Sequence, residues 1–263
     1  LDLAVWTPAY LPAWSSTAAA AATYRVEGDG LHLSLPPEHP RWCPDLHEPP
    51  LRVSAVQSGT WSGPVGSTRG QQPFQDGLVV REEQPARWGF TPYLGTVEVD
   101  CRASVGPGSM VSAWLVGLED EPARSGEICL MEVFGDTLAM DASGAPTAAV
   151  GSGVHPFRDP ALREDFTVPV RALDLAGWHR YAVAWEPDRL TFSIDGVVTR
   201  VVDQAPRYPV QLILAVFEFP DDATGPALVP ELVVRAVTCR RPSTGQPGPR
   251  IPPVAIQVPE VGR

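Results

Sequence analysis

The sequence GEICLMEVFG, residues 126–135, decides the fold of this chain. Most of its residues are apolar, yet it carries Glu127 and Glu132, and an acid in an apolar strand is costly unless it has a partner or a function. Glu127 and Cys129 share a strand face because side chains alternate. Glu132 joins them only if one extra residue bulges out, and we assign that residue as Met131. Bulges occur preferentially beside active sites, so the stretch predicts two carboxyl groups on one wall.

Short strand-like runs separated by Gly and Pro continue on both sides of this stretch. Asp195-Gly196 lies between two β-branched runs and is typical of a hairpin turn. The 30 prolines argue against long helices, and Thr17–Thr23 is the one short helix that the sequence predicts. The predicted strands are Gly30–Leu35, Leu51–Ser58, Leu78–Glu82, Gly95–Ser104, Ser109–Gly117, Glu127–Phe134, Ala148–His155, His179–Glu186, Arg189–Ile194, Val197–Val202, Val210–Phe219 and Glu231–Cys239.

Many strands without a βαβ rhythm predict an all-β fold, a two-sheet antiparallel β-sandwich of the jelly-roll type. We expect one such domain over residues 1–240. From residue 241 to residue 263 the chain is rich in Pro, Arg and Gly, which predicts an extended tail.

Composition excludes several classes of function. A hydrophobic content of 44% and a charged content of 19% indicate a folded protein. The net charge of −11 argues against a nucleic-acid partner, which needs a clustered basic face. No apolar run approaches the roughly 20 residues of a membrane-spanning helix, so we expect no membrane partner. We expect a monomer.

The absence of Lys and Asn predicts a high-GC bacterial source, since both residues need AA-starting codons. The four cysteines show neither a CxxC pair nor metal-ligand spacing, so the sequence predicts no metal and no cofactor. Position 1 is Leu rather than Met. From this we expect a processed chain, and we favour a secreted over a cytoplasmic location.

At residues 127–132 the chain resembles glycoside hydrolase family 16, the laminarinase, lichenase and agarase group, whose signature is Glu-x-Asp-x-x-Glu. Further segments match in the expected order over roughly residues 24 to 239. They are YLGTVEV (93–99), SAWLVG (112–117), WHRYAVAW (178–185), PDR (187–189), IDG (194–196) and PVQLIL (209–214). The resemblance implies a concanavalin A-like jelly roll and retaining hydrolysis, with Glu127 as nucleophile and Glu132 as general acid and then base.

Two positions depart from the family pattern. Cys129 stands where the family has an Asp that tunes both glutamates, and a neutral thiol adds no charge and only a weak hydrogen bond. This predicts a more acidic Glu132 and a lower pH optimum, or weaker activity. Ala215 stands where the family has Asn, and Phe217 and Phe219 follow on the same face, which indicates a more apolar cleft.

The candidate substrate-binding residues are Trp114, His155, Trp88 and Phe217. Trp114 precedes the catalytic strand, where it lines the cleft or else fills the core between the sheets. Trp88 lies in a loop, and His155 falls where the family's next strand often presents a His. Beside hydrolysis of a β-linked polysaccharide such as a β-glucan, the alternative is a carbohydrate-binding jelly roll that has lost catalysis.

Overall fold

The computed structural model describes residues 1–221 and 228–240; the predicted tail over residues 241–263 lies outside them. The described chain is built of short strands with two 3-10 turns, Pro12–Trp14 and Gly135–Thr137. The strands are β1 (Tyr24–Glu27), β2 (Gly30–Ser34), β3 (Arg52–Gln57), β4 (Gly59–Thr60), β5 (Arg87–Trp88), β6 (Gly95–Ser104), β7 (Ser109–Gly117), β8 (Glu127–Phe134), β9 (Ala139–Met140), β10 (Pro146–Ala149), β11 (Gly151–His155), β12 (Asp165–Thr167), β13 (Val170–Ala172), β14 (His179–Glu186), β15 (Arg189–Ile194), β16 (Val197–Val202), β17 (Val210–Glu218) and β18 (Glu231–Arg240).

Two large antiparallel sheets form a jelly-roll sandwich, as the sequence predicts. The back sheet has the order β1-β2-β18-β6-β14-β15-β16, and the site sheet has the order β12-β11-β8-β7-β17-β3. A three-stranded sheet (β13-β10-β9) and a two-stranded sheet (β4-β5) complete the described strands. No helix among the described residues has the length and apolarity that crossing a membrane requires.

The main core lies between the two large sheets. In β6 the inward residues Val97, Val99 and Cys101 are buried and alternate with half-exposed polar residues, the pattern of a strand with one solvated face. In β7 every residue is buried instead. The site sheet is therefore covered on both of its faces.

A second apolar cluster, here called the outer core, covers the face of the site sheet that points away from the back sheet. The N-terminal segment supplies part of it and is fixed to the sheet edge by Thr7, whose N–H donates to Gln57 O at 2.8 Å and whose O accepts from Gln57 N at 3.0 Å. The buried members are Ala9, Leu11, Ala13, Trp14, Ala20, Trp42, Cys43, Leu51, Val53, Ala55, Leu78, Val80, Met110, Trp114, Val116, Cys129, Ile213, Ala215 and Phe217.

Three predictions of local structure are wrong. Residues 17–23 form turns and a bridge, Ala9 to Ala21, rather than a helix. The segment 78–82 is not a strand, because Val80 bonds to the loop at Ser67 and Arg81 bonds to Ala13. The predicted strand Ala148–His155 is two strands, β10 and β11, which pair in different sheets.

Gly153 is predicted to be essential for the pairing of β11 with its neighbours. It has φ 145°, and a Cβ there would lie 2.1 Å from Asp165 O. We expect Gly153→Ala to lower the free energy of unfolding by about 2 kcal/mol or more. The measurement is urea unfolding followed by circular dichroism.

The matched control is Gly28→Ala, where a Cβ would meet nothing within 4 Å. We expect that change to stay within about 0.5 kcal/mol. Equal effects of the two substitutions would contradict the steric argument.

Candidate active site

A β-bulge in β8 breaks its register with β7. Ala113 pairs with Met131 and Trp114 pairs with Cys129, so Leu130 has no partner in β7. The prediction of a bulge is thus confirmed, but its assignment to Met131 is wrong. The extra residue is Leu130, because the register is set by pairing with the neighbouring strands.

The bulge brings the acidic residues of β8 to one face. Leu130 and Met131 both point into the main core, so the alternation of side chains restarts after them. Glu132 consequently returns to the outer face, which Cys129 already occupies. Glu127 lies two residues before Cys129 on the same face.

Glu127 is 8% exposed, and its carboxylate accepts a hydrogen bond from Gln72, with Nε2 and Oε2 3.1 Å apart. Burial, together with the negative charges of Glu132, Glu164 and Glu119, raises the pKa of Glu127 to about 8. The hydrogen bond from Gln72 opposes this shift. Glu127 is thus a carboxyl group held near the point of titration at neutral pH.

Glu132 is less deeply buried and lies opposite Ser112 on β7 and Gly151 on β11. Burial raises its pKa, and the charge of His155 opposes that shift. His155 is also an ion-pair partner of Glu164, with Nδ1 and Oε1 2.9 Å apart. The site thus holds a second carboxyl group whose protonated form is favoured relative to that of an exposed glutamate.

Cys129 is fully buried between the two acids, opposite Trp114 on one side and Gly153 on the other. Burial raises the pKa of its thiol well above the usual value, and Glu127 and Glu132 raise it further. The thiol is therefore neutral at physiological pH. This makes Cys129 a poor nucleophile.

Trp114 and Phe217 lie on the outer face of the site sheet rather than between the sheets. Their exposed fractions are only 5% and 6%. Tyr10 covers them both, with ring centroids 6.4 Å from Trp114 and 5.5 Å from Phe217. Neither ring is thus a bare sugar platform in this structure.

His155 lies near the two carboxyl groups, whereas Trp88 lies in a separate sheet. His155 is paired with Glu127 across β11 and β8, and its ring packs on Phe166 with centroids 4.5 Å apart. The strands therefore bring His155 to the two carboxyl groups. Trp88 is 46% exposed and belongs to the separate two-stranded sheet, opposite Gly59.

Loops that the sequence did not single out form a cavity of about 720 Å³ beside Glu127. Gln72 connects the two, because it lines the cavity and bonds to Glu127. The wall has both aromatic and polar groups, as sugar binding requires. It consists of Tyr10, Thr68, Gln72, Pro73, Phe74, Gln75, Asp76, Gly77, Leu78, Glu119, Phe157 and Arg158.

Glu27, Asp29 and His32 on the back sheet bring three possible metal ligands within 4.8 Å of one another. Arg25 pairs with Glu27 at 2.7 Å, and Arg102 pairs with Asp29 at 3.0 Å. Because these cations already neutralise both carboxylates, we interpret the group as an ion-pair cluster.

Comparison with known proteins identifies the family. The sequence profile described as glycosyl hydrolases family 16 matches residues 90–222, just over half of the 263 residues. The chain belongs to glycosyl hydrolases family 16. Among curated proteins, no sequence match is found.

Several solved structures share the fold of this chain. A GlcNAcα1-4Gal-releasing endo-β-galactosidase from Clostridium perfringens is 24% identical with a TM-score of 0.73, and the match covers 91% of this chain and 59% of that one. The laminarinase catalytic domain from Thermotoga maritima is 13% identical with a TM-score of 0.57, covering 89% and 90%. A β-glucanase from Bacillus licheniformis is 12% identical with a TM-score of 0.53, covering 89% and 92%. At these identities the likeness shows the fold.

The buried Glu127 should reduce stability as the pH rises. Its folded pKa of about 8 lies above the ordinary 4.5, so the folded protein keeps a proton that the unfolded chain has lost between these values. Each pKa unit corresponds to about 1.4 kcal/mol. We expect Glu127→Gln to raise the free energy of unfolding by roughly 2–4 kcal/mol at pH 8 and by much less at pH 4.5.

Urea unfolding at the two pH values tests this, with the exposed Glu83→Gln as the control. If Glu127→Gln raised the free energy of unfolding equally at both pH values, the raised pKa assigned to Glu127 would be contradicted.

Proposed function

We propose that this family 16 protein is a retaining, endo-acting glycoside hydrolase that cleaves a β-linked polysaccharide. The observation that carries the proposal is the bulge at Leu130, which sets Glu127 and Glu132 on one face within the segment matched to the family. A pair of carboxyl groups on a shared face is the arrangement that double displacement uses.

In the proposed mechanism Glu127 attacks the anomeric carbon while Glu132 donates its proton to the glycosidic oxygen. The leaving sugar departs, and a covalent glycosyl ester remains on Glu127. Glu132, now ionised, takes a proton from water, and the resulting hydroxide displaces Glu127. The raised pKa of Glu132 suits the first step, because the acid must hold its proton.

A β-glucan or a related β-linked polysaccharide is the proposed substrate class. The structural neighbours include a laminarinase, a β-glucanase and an endo-β-galactosidase. The cavity beside Glu127 has room for sugar units and a mixed aromatic and polar wall. We propose residues 1–240 as the domain that carries the site, since β1 and β18 belong to one sheet.

The alternative is a carbohydrate-binding protein with lost or weakened catalysis. Two observations favour it. The thiol of Cys129, between the two acids, is uncharged, and Tyr10 covers the rings of Trp114 and Phe217. Its difficulty is the pair Glu127 and Glu132 on one face, because a binding protein has no need of two adjacent carboxyl groups.

Assays of reducing-sugar release separate the two functions. We expect the protein to release sugar from at least one of laminarin, lichenan, agarose and galactan. Glu127→Gln should lower the rate by at least about 1,000-fold, because it removes the proposed nucleophile. Glu83→Gln is the control and should leave the rate unchanged. Binding without release by the wild-type protein would favour the alternative.

Cys129→Asp tests the proposed effect of the neutral thiol. A third carboxylate between Glu127 and Glu132 would raise the pKa of both acids. We therefore expect the pH–rate profile of Cys129→Asp to lie at higher pH than the wild-type profile, by about one unit. Cys129→Ser, which adds no charge, is the matched control, and coincident profiles for Asp and wild type would contradict the idea.

A further inference from the structure

Among the described residues outside β8, only the side chain of Gln72 donates a hydrogen bond to the carboxylate of Glu127. Its Nε2 donates to Glu127 Oε2 at 3.1 Å, over a sequence separation of 55 residues. Its Oε1 is buried and has no partner within the described chain. The amide is therefore aimed at the carboxylate and is not part of another network.

The residue before Gln72 is held firmly. Gln71 O accepts from Trp14 Nε1 at 2.8 Å, and Gln71 Oε1 accepts from Gln57 Nε2 at 3.2 Å. Gln72 itself has φ 42°, which is uncommon for a residue other than Gly, Asn or Asp. Such strain persists where the surroundings impose it, and it clusters at functional sites.

Glu119 fixes Gln72 from the cavity side. Its buried carboxylate accepts from the backbone N–H of Gln72 and from the guanidinium of Arg158. Its own φ is 58°, so a second strained residue faces the first. Burial raises the pKa of Glu119 to about 7, while the contacts with Gln72 and Arg158 oppose that shift.

We propose that Gln72 is a positioning residue for Glu127, supplying the hydrogen bond that Cys129 is too weak a donor to give, and that Glu119 acts by holding Gln72 in place. The proposal rests on the proposed function in one respect, namely that Glu127 is the nucleophile.

The charge around Glu127 shows why such a donor is needed. A nucleophilic carboxylate must be ionised, and burial opposes that state. An N–H donor favours the ionised form because its hydrogen bond to a charged carboxylate is stronger than its bond to the neutral acid. Among the groups around Glu127, Glu119, Glu132 and Glu164 raise its pKa by their negative charge. The titratable groups that surround it are Tyr10, Glu119, Cys129, Glu132, His155 and Glu164.

The test withdraws the amide without disturbing the loop. Gln72→Asn keeps a residue type that tolerates positive φ, but its amide is one methylene shorter. Gln72→Ala removes the amide, and Gln204→Ala, which removes a side-chain amide outside the cavity wall, is the matched control. Circular dichroism and thermal unfolding check that each variant is folded.

The first readout is the titration of Glu127, followed by NMR of protein with ¹³C-labelled glutamate carboxyl groups. The Glu127 signal is assigned by its loss in Glu127→Gln. We expect its pKa to rise by about one unit in Gln72→Asn and Gln72→Ala and to stay unchanged in Gln204→Ala. An unchanged Glu127 titration in both Gln72 variants would overturn the proposal.

The second readout is sugar release. We expect kcat to fall about tenfold or more in the Gln72 variants, with a smaller change in KM and an acid limb moved to higher pH. This measurement needs turnover, whereas the titration does not. Failure of the proposed function would appear as no release from wild type, and failure of the present proposal as release with an unmoved titration.

A double-mutant cycle tests the part assigned to Glu119. If Glu119 acts through Gln72, Glu119→Gln should lower kcat in the wild-type background and have little further effect in Gln72→Ala. Fully additive losses would show that Glu119 acts independently and would overturn that part of the proposal.

Discussion

The bulge at Leu130 is the constraint on which the site depends. Glu127 and Glu132 are five residues apart, so a regular strand would put one of them on the face that meets the main core. An ionised carboxylate there would lie among apolar side chains with nothing to compensate its lost hydration. The bulge resolves this by sending Leu130 and Met131 inward in succession. The neighbouring strand accommodates the change with a register shift between Gly151 and Gly153.

The outer core sets the electrostatics of the site as much as the acids do. It covers one face of the site sheet. If water covered that face instead, carboxylates there would keep pKa values close to the ordinary range. Tyr10, from the N-terminal segment, lies against Trp114 and beside Glu127. Burial is the largest cause of the raised pKa of Glu127 and of Glu132. Covering the sheet therefore favours the protonated form of Glu132 and makes ionisation of Glu127 difficult.

The strands were predictable from local sequence because alternation and turn residues act over a few positions. The predicted bounds of β6, β7, β8 and β14 coincide with those observed. The choice of Leu130 as the bulged residue was not predictable, since it depends on pairing with β7 and β11. The Ala-rich segment 17–23 shows the same limit, because tertiary contacts override its helix propensity.

The candidate site likewise has a part that the sequence predicts and a part that it does not. Glu127, Glu132, Cys129 and His155 lie on adjacent strands, so strand order and alternation suffice to group them. Gln72 and Glu119 were missed because they come from loops far from β8 in sequence and follow no local pattern. Their positive φ angles are visible in the structure, but the residue types Gln and Glu do not predict them.

The carboxyl groups lie on strands while the residues that cover them come from other segments, and this separation has an evolutionary consequence. The carboxyl groups stand on strands whose register is fixed by many hydrogen bonds, whereas Tyr10 and Gln72 reach the same place from segments that no strand ladder constrains. Substitutions in these segments can change the shape of the cavity beside Glu127 while β8 stays unchanged. The fold can thus change its ligand preference through substitutions in the segments that cover the site sheet, with the register of β8 preserved.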